Sequence, residues 1–161
     1  FFAFFIAYLL REKFTLGIFI LVLVICIFTD LGGYIFGKIF KGPKLTKISP
    51  KKTYSGAFGG FLLSLITVVI YTNYTHLGNE AYLNFLFWSE NIPLPGANFF
   101  LFVLLISFVS QIGDLIISYF KRLAKVKDTG NLLPGHGGLL DRVDGIIFAI
   151  PISYIIFIYI K

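Results

Sequence analysis

Charged residues are scarce in this sequence: they make up 14% of its 161 residues, whereas 57% are hydrophobic. A soluble domain is typically about 25% charged and about 45–50% apolar. So large an apolar excess must be buried in lipid or against a large partner, which excludes an ordinary soluble domain. The length allows one domain. Residues 1–161 are therefore expected to form a single integral-membrane domain.

Methionine is absent, and cysteine occurs once, as Cys26 in an apolar run. A single cysteine excludes an intramolecular disulfide bond and a cysteine metal cluster, so Cys26 is expected to pack as a small hydrophobic side chain. Because there is no methionine, Phe1 is not expected to be the natural start. We expect the chain to be the C-terminal part of a longer protein, with Phe1–Leu10 as the tail of a truncated helix.

Long apolar runs predict four membrane-spanning helices, because about 20 apolar residues are needed to cross the hydrocarbon core. The runs cover about 14–36, 55–74, 99–120 and 143–160. The expected fold class is therefore all-α, a polytopic transmembrane helix bundle that is N-terminally incomplete. Gly56 and Gly60 lie four residues apart at the start of the second span, a spacing that favours close packing of two helices.

The few charges are concentrated in two polar segments, at about 37–54 and 121–142, which hold 11 of the 14 Lys and Arg residues. Two crossings separate these segments, so both are expected on the same side of the membrane. The positive-inside rule makes that side cytoplasmic. The aromatic residues lie in the spans and not among the lysines, which argues against nucleic-acid binding.

Three aspartates are candidates for a metal site. Asp114 lies inside the third span, where an unpaired charge typically costs a few kcal/mol. Asp141 and Asp144 are three residues apart, so at the start of a helix they would share one face. Oxygen ligands without cysteine favour a hard cation, and Mg²⁺ fits best because it completes its shell with water and substrate phosphate.

These acidic residues also have structural interpretations. Asp114 could form an ion pair with Lys121 or Arg122, one to two helical turns later. The two aspartates near the last span could simply cap that helix, because the helix dipole favours acids there. Asp30 could either join the site or pair with Lys38.

The glycine-rich segment Pro134–Gly138 precedes the last predicted span and could present backbone N–H groups to phosphate. Read with its neighbours, it belongs to a longer pattern. The stretch Ser118–Asp144, S-Y-F-K-R-L-A-K-V-K-D-T-G-N-L-L-P-G-H-G-G-L-L-D-R-V-D, resembles the signature of the phosphatidate cytidylyltransferase family, also called CDP-diacylglycerol synthases. Ser110–Ser118 and Asp30–Thr53 are similar to two further segments of that family. One departure is visible, since Ser55 stands where the family usually has an acidic residue.

The resemblance implies a bacterial inner-membrane enzyme with a cytoplasmic active site that condenses CTP with phosphatidic acid, giving CDP-diacylglycerol and pyrophosphate. It also implies a metal centre for which Asp114 and Asp141 match the expected positions. A second cation such as K⁺ and a homodimer are left open, and the rival interpretation is a cation-coupled membrane transporter. The expected catalytic residues are Asp114, Asp141, Asp144, Lys121 and Arg122, of which the three aspartates bind metal, and the expected substrate-binding residues are Lys52, Lys127, Asp128, His136, Gly137, Gly138 and Arg142.

Overall fold

The structure is a computed structural model that describes residues 2–13, 16–46, 49, 52–77, 97–126, 129–130 and 140–160, without the side chains of 71–77, 97, 140–142 and 160. Across these residues the chain forms five α-helices, and the predicted all-α class is confirmed. The helices are α1 (Phe2–Lys13), α2 (Leu16–Phe40), α3 (Tyr54–Leu77), α4 (Ala97–Leu123) and α5 (Leu140–Ile160).

Two of these helices are long and apolar enough to cross a membrane. They are α2 and the segment Asn98–Leu123 of α4. Shorter apolar stretches lie in α3 and α5, at Tyr54–Ile70 and Val143–Tyr159. Large aromatic and aliphatic side chains remain exposed along these helices, as expected where lipid and not water is the surrounding solvent. The chain is thus an all-α membrane protein.

The apolar core lies where α1, α2, α4 and α5 meet. Leu10, Ile25, Ile106 and Phe157 are fully buried there. The rings of Phe102 and Phe157 pack at a tilt with centroids 5.0 Å apart, which joins α4 to α5. Such aromatic pairs add about 0.5–1.5 kcal/mol beyond the area they bury.

Glycines allow α2 and α3 to approach until their backbones touch. A Cβ atom on Gly56 would lie 2.6 Å from the carbonyl oxygen of Gly33, and one on Gly60 would lie 2.8 Å from that of Thr29. Real Cβ atoms do not come so close to backbone oxygen. The predicted close packing at Gly56 and Gly60 is confirmed, and its partner is α2.

We expect Gly32→Ala to destabilise this helix pair. Its Cβ would lie 2.5 Å from the Gly59 carbonyl oxygen, so the two helices would have to separate. Overpacking of this kind typically costs about 1–3 kcal/mol, which thermal unfolding in detergent would register as a lower Tm. Gly33→Ala is the matched control, because its Cβ would meet nothing closer than 3.8 Å. Equal Tm values for the two variants would contradict the packing argument.

Two helices extend into the segments expected to be loops. α2 continues to Phe40, where Lys41 takes a left-handed conformation (φ 42°) and donates its N–H to the Gly37 carbonyl at 3.2 Å. α4 continues to Leu123 and ends in the same way at Lys125 (φ 56°). At both ends the left-handed position, which is usually occupied by glycine, is a lysine. The amino-acid sequence therefore does not indicate that the helices end there.

Candidate functional site

A cavity of about 310 Å³ lies between α2, the connection 41–53, α3 and α4. Its walls are mostly small or apolar, and its charged groups come from three different parts of the chain. The lining residues are Thr29, Asp30, Gly33, Tyr34, Leu45, Ser49, Lys52, Thr53, Gly56, Ala57, Gln111 and Asp114. Mostly apolar clefts of this size with a few convergent polar groups are the usual form of small-molecule sites.

Two described parts of the connection between α2 and α3, residues 43–45 and 52–54, pair with each other and place Lys52 at the cavity. Leu45 donates its N–H to the Lys52 carbonyl at 2.8 Å, and Tyr54 donates to the Pro43 carbonyl at 3.1 Å. Thr53 caps α3, because its hydroxyl accepts the Gly56 N–H at 3.1 Å. These backbone bonds fix Lys52 directly before the first turn of α3.

Lys52 forms an ion pair with Asp114, which lies inside α4. Each side chain is about a quarter exposed, at 26% and 24%. Ser118, one turn further along α4, lies with its hydroxyl 3.4 Å from the Asp114 carboxylate. Asp114 lies nine residues before the end of α4, which is about 14 Å at 1.5 Å per residue. This partly buried acid is therefore stabilised by a lysine from a different part of the chain, a partner that its own helix does not indicate.

Asp144 brings a second carboxyl to the same place from the start of α5. It is 8% exposed and accepts the Gly145 N–H at 3.0 Å. Its carboxyl lies close enough to Asp114 and to Lys121 for their charges to act on it. Acids from α4 and α5 therefore meet at one end of the bundle, close to the loop that carries Lys52.

Two adjacent carboxyls repel each other unless a proton or a cation lies between them. Their oxygen-only donors suit a hard cation such as Mg²⁺, which commonly takes one or two carboxylates and fills its other positions with water or phosphate. Within the described residues no group of three His, Cys, Asp or Glu side chains could hold a metal by itself. The pair of Asp114 and Asp144 therefore fits a cation whose remaining ligands come from solvent or substrate.

Asp30 joins this site, which was one of its two expected alternatives. It lines the cavity in the company of Lys52 and Asp114, and Lys38 lies instead over the ring of Tyr34. Gln111 was not expected there. Its amide group donates to the Ala57 carbonyl at 3.2 Å across the interface of α4 and α3. The sequence signal that could have identified Gln111 as a site residue is its position one helical turn before Asp114 on α4.

Other predicted residues are not brought together by the described part of the chain. Arg122 is exposed, and its guanidinium donates to the Val126 carbonyl at 3.3 Å. Asp141 and Arg142 lie in the first turn of α5, one turn before Asp144, but their side chains are outside the described set. Lys127, Asp128, His136, Gly137 and Gly138 also lie outside the described residues. The roles expected of all of these remain predictions.

Ser55, the residue that departs from the family pattern, has a local structural role. Its hydroxyl accepts the Gly42 N–H at 3.3 Å and hydrogen-bonds the Thr53 hydroxyl at 3.0 Å. It thereby ties the beginning of the connection 41–53 to the first turn of α3. A serine at this position supports the loop that carries Lys52.

Comparison with known proteins gives a consistent set of similarities. The family model described as the Cytidylyltransferase family matches residues 1–160. A phosphatidate cytidylyltransferase of Rickettsia conorii is 38% identical over 144 residues, which is 88% of this chain and 59% of the relative. Proteins of the same name from Synechocystis sp. and Staphylococcus epidermidis are 40% and 38% identical, covering 89% and 81% of this chain but 44% and 45% of their own lengths. The chain thus spans about half the length of the curated relatives it matches.

Proposed function

The chain belongs to the cytidylyltransferase family, and we propose that its protein is a phosphatidate cytidylyltransferase, an enzyme that transfers the cytidylyl group of CTP to phosphatidic acid for phospholipid synthesis. The products would be CDP-diacylglycerol and pyrophosphate. The observation that carries the proposal is the meeting of Asp114, Asp144 and Lys52 beside a cavity at one end of a membrane helix bundle. Polar groups gathered at one end, in a chain of this family, do not favour the alternative of a cation-coupled transporter.

The proposed reaction needs charge neutralisation more than it needs a base. A phosphate oxygen of phosphatidic acid attacks the α-phosphorus of CTP, and the bond between the α-phosphorus and the bridging oxygen of the β-phosphate breaks. Pyrophosphate leaves with that electron pair. The attacking oxygen is already anionic, so no proton must be removed from it. The barrier comes largely from repulsion between two anions, which positioned cations lower most effectively.

Lys52 forms an ion pair with one of the two carboxyls, and the charge of Lys121 acts on the other. In the proposed complex, Lys52 moves from Asp114 to a phosphate oxygen, and Lys121 neutralises charge on the lipid phosphate or the leaving group. Arg122, Lys127 and Arg142 are proposed to contact phosphate as well, with His136, Gly137 and Gly138 as hydrogen-bond donors and Asp128 as a member of the same site. Charge-assisted bonds of this kind are roughly twice as strong as neutral ones.

Mg²⁺ is the proposed cofactor, held by Asp114 and Asp144 and by Asp141 one helical turn earlier. Bound there, it would neutralise phosphate charge and stabilise the pentavalent transition state electrostatically. The protein residues do the rest: α4 and the start of α5 position the carboxyl pair, and Lys52 and Lys121 hold the two anions near each other.

The site is proposed to face the cytoplasm of a bacterial inner membrane. The basic segments 37–54 and 121–142 support this, because the positive-inside rule assigns such loops to the cytoplasm. CTP would then enter from the cytoplasm, while phosphatidic acid reaches the same site from the lipid bilayer between helices.

Pyrophosphate release tests the proposal directly. Membranes containing the full-length protein should release pyrophosphate when CTP and phosphatidic acid are both supplied, and the lipid product should carry the label of [α-³²P]CTP. Neither substrate alone should suffice. Cation-driven uptake into sealed vesicles without pyrophosphate release would favour the transporter and contradict the enzyme.

Removal of divalent cations should abolish this activity. We expect a fall of at least about 100-fold with excess EDTA, because the carboxyl pair would be left without the charge that makes it attractive to phosphate. Added Mg²⁺ should restore the rate and should also raise the Tm of the protein in the absence of CTP. Full activity in EDTA, or a Tm that does not respond to Mg²⁺, would contradict the metal site.

A further inference from the structure

The cavity contains one carboxylate that the proposed metal and phosphate contacts do not use. Asp30 lies on α2, lines the cavity and is solvent-accessible. Among the residues that the structure describes, no side chain hydrogen-bonds or ion-pairs with it, because Lys52 is paired with Asp114. A carboxylate in this position can accept hydrogen bonds and can donate none.

The rest of the cavity wall includes hydroxyl and amide groups. Gln111 donates one amide N–H to the Ala57 carbonyl at 3.2 Å, and its carbonyl oxygen can accept a hydrogen bond from a ligand. Among the described residues, the charged groups that line the cavity are Asp30, Asp114 and Lys52. The carboxylate of Asp30 favours a ligand part that donates hydrogen bonds to it.

The small side chains of the cavity wall and one aromatic ring suit a ligand that contains a ring. Gly33, Gly56 and Ala57 line it with little more than backbone, and Leu45 adds an apolar surface. Tyr34 stands at the edge with 66% of its surface exposed, and the Lys38 ammonium lies 5.7 Å from the centre of its ring. This cation–π contact favours one ring orientation before a ligand arrives. An exposed aromatic ring of this kind is a stacking surface for a nucleobase.

We propose that Asp30 selects the base of the nucleotide: its carboxylate accepts a hydrogen bond from the exocyclic amino group of cytosine, while Tyr34 stacks on the ring. The inference rests on the proposed function, which supplies CTP as the ligand. Uracil presents a carbonyl oxygen at the same position, and this oxygen would face the carboxylate without a proton between them. A site built to accept from an amino group rejects an analogue that lacks it.

The ribose offers the competing set of donors, since its hydroxyls could also reach a carboxylate. The exposed Tyr34 ring favours the base, because a ribose has no flat aromatic face that could stack on it. Asp30 also lies close enough to Asp114 for the two charges to interact. Base and reacting phosphate would therefore occupy neighbouring parts of one site.

The test compares kcat/KM for CTP, UTP and dCTP, using the full-length protein with phosphatidic acid. For Asp30→Asn we expect the preference for CTP over UTP to fall by about tenfold or more, because asparagine can donate to the uracil carbonyl. The ratio for CTP over dCTP should not change. Glu12→Gln, the same acid-to-amide change before α2 begins, should leave both ratios as in the wild type.

Each outcome has one meaning. A wild type that releases no pyrophosphate with any nucleotide refutes the proposed function itself. A wild type that prefers CTP, together with an Asp30→Asn variant that keeps this preference, overturns only the role of Asp30. If Asp30→Asn changes only the ratio of kcat/KM for CTP to that for dCTP, Asp30 contacts the ribose, and its proposed role in selecting the base is overturned.

Should Asp30→Asn fail to fold, the wild type provides a second measurement. A triphosphate of the pyrimidin-2-one ribonucleoside keeps the ring but lacks the amino group of cytosine. We expect its kcat/KM to be about tenfold or more below that of CTP. Equal values would overturn the inference.

Discussion

Asp114→Asn is expected to reduce kcat/KM for CTP by at least about 100-fold while the protein stays folded. The variant keeps the size of the side chain but removes the charge that meets Lys52 and lies beside Asp144. Losing one preorganised electrostatic contact in a transition state commonly costs about 100- to 1,000-fold. An asparagine at this position would also turn an N–H₂ group or a neutral oxygen towards the cation that the two carboxyls are proposed to share.

A stability measurement separates loss of the site from loss of the fold. A cation that binds the native state raises its stability in proportion to the logarithm of its concentration, by about 2.7 kcal/mol at 100 times its Kd. The wild type should therefore show a Mg²⁺-dependent rise in Tm, and Asp114→Asn should lose that rise while keeping a cooperative transition. Activity within twofold of the wild type would remove Asp114 from the site.

Ser118→Ala is the matched variant on the same face of α4. It removes only the hydroxyl that lies 3.4 Å from the Asp114 carboxylate, at the long end of hydrogen-bond distances. Its effect should be much smaller than that of Asp114→Asn. Equal losses from the two changes would indicate that this part of α4 is sensitive to any substitution.

The helical class and the approximate positions of α2 to α5 could be predicted because they depend on local composition. Apolar runs near 20 residues long have few alternatives to a helix once lipid is the solvent, since every backbone N–H must be bonded within its own segment. The four predicted spans accordingly coincide with α2 to α5. Their ends were less predictable, because Lys41 and Lys125 adopt a left-handed conformation that sequence patterns assign to glycine.

The sequence indicates which residues could belong to the site, but not which of them contact one another. Asp114 stood out because an acid inside an apolar run needs a partner, yet the partner, Lys52, is supplied by a loop that precedes α3. Nothing local to Asp114 indicates this contact, which depends on the pairing of residues 43–45 with residues 52–54. Asp30 was undecided for the same reason, and only the packing of α2 against α3 through glycine assigns it to the cavity.

Lys52→Gln is expected to lower kcat/KM for CTP by about 10- to 100-fold and, at the same time, to lower the Mg²⁺ concentration that gives half-maximal activity. The first effect follows because Lys52 lines the cavity beside Asp30 and Asp114; without its charge, these two acids repel an anionic substrate more strongly. The second follows because the ammonium competes with Mg²⁺ for Asp114. Lys44→Gln, an exposed lysine of the same loop, should change neither quantity. An unchanged or higher Mg²⁺ requirement in Lys52→Gln would contradict the competition, since a merely damaged site binds its cation more weakly.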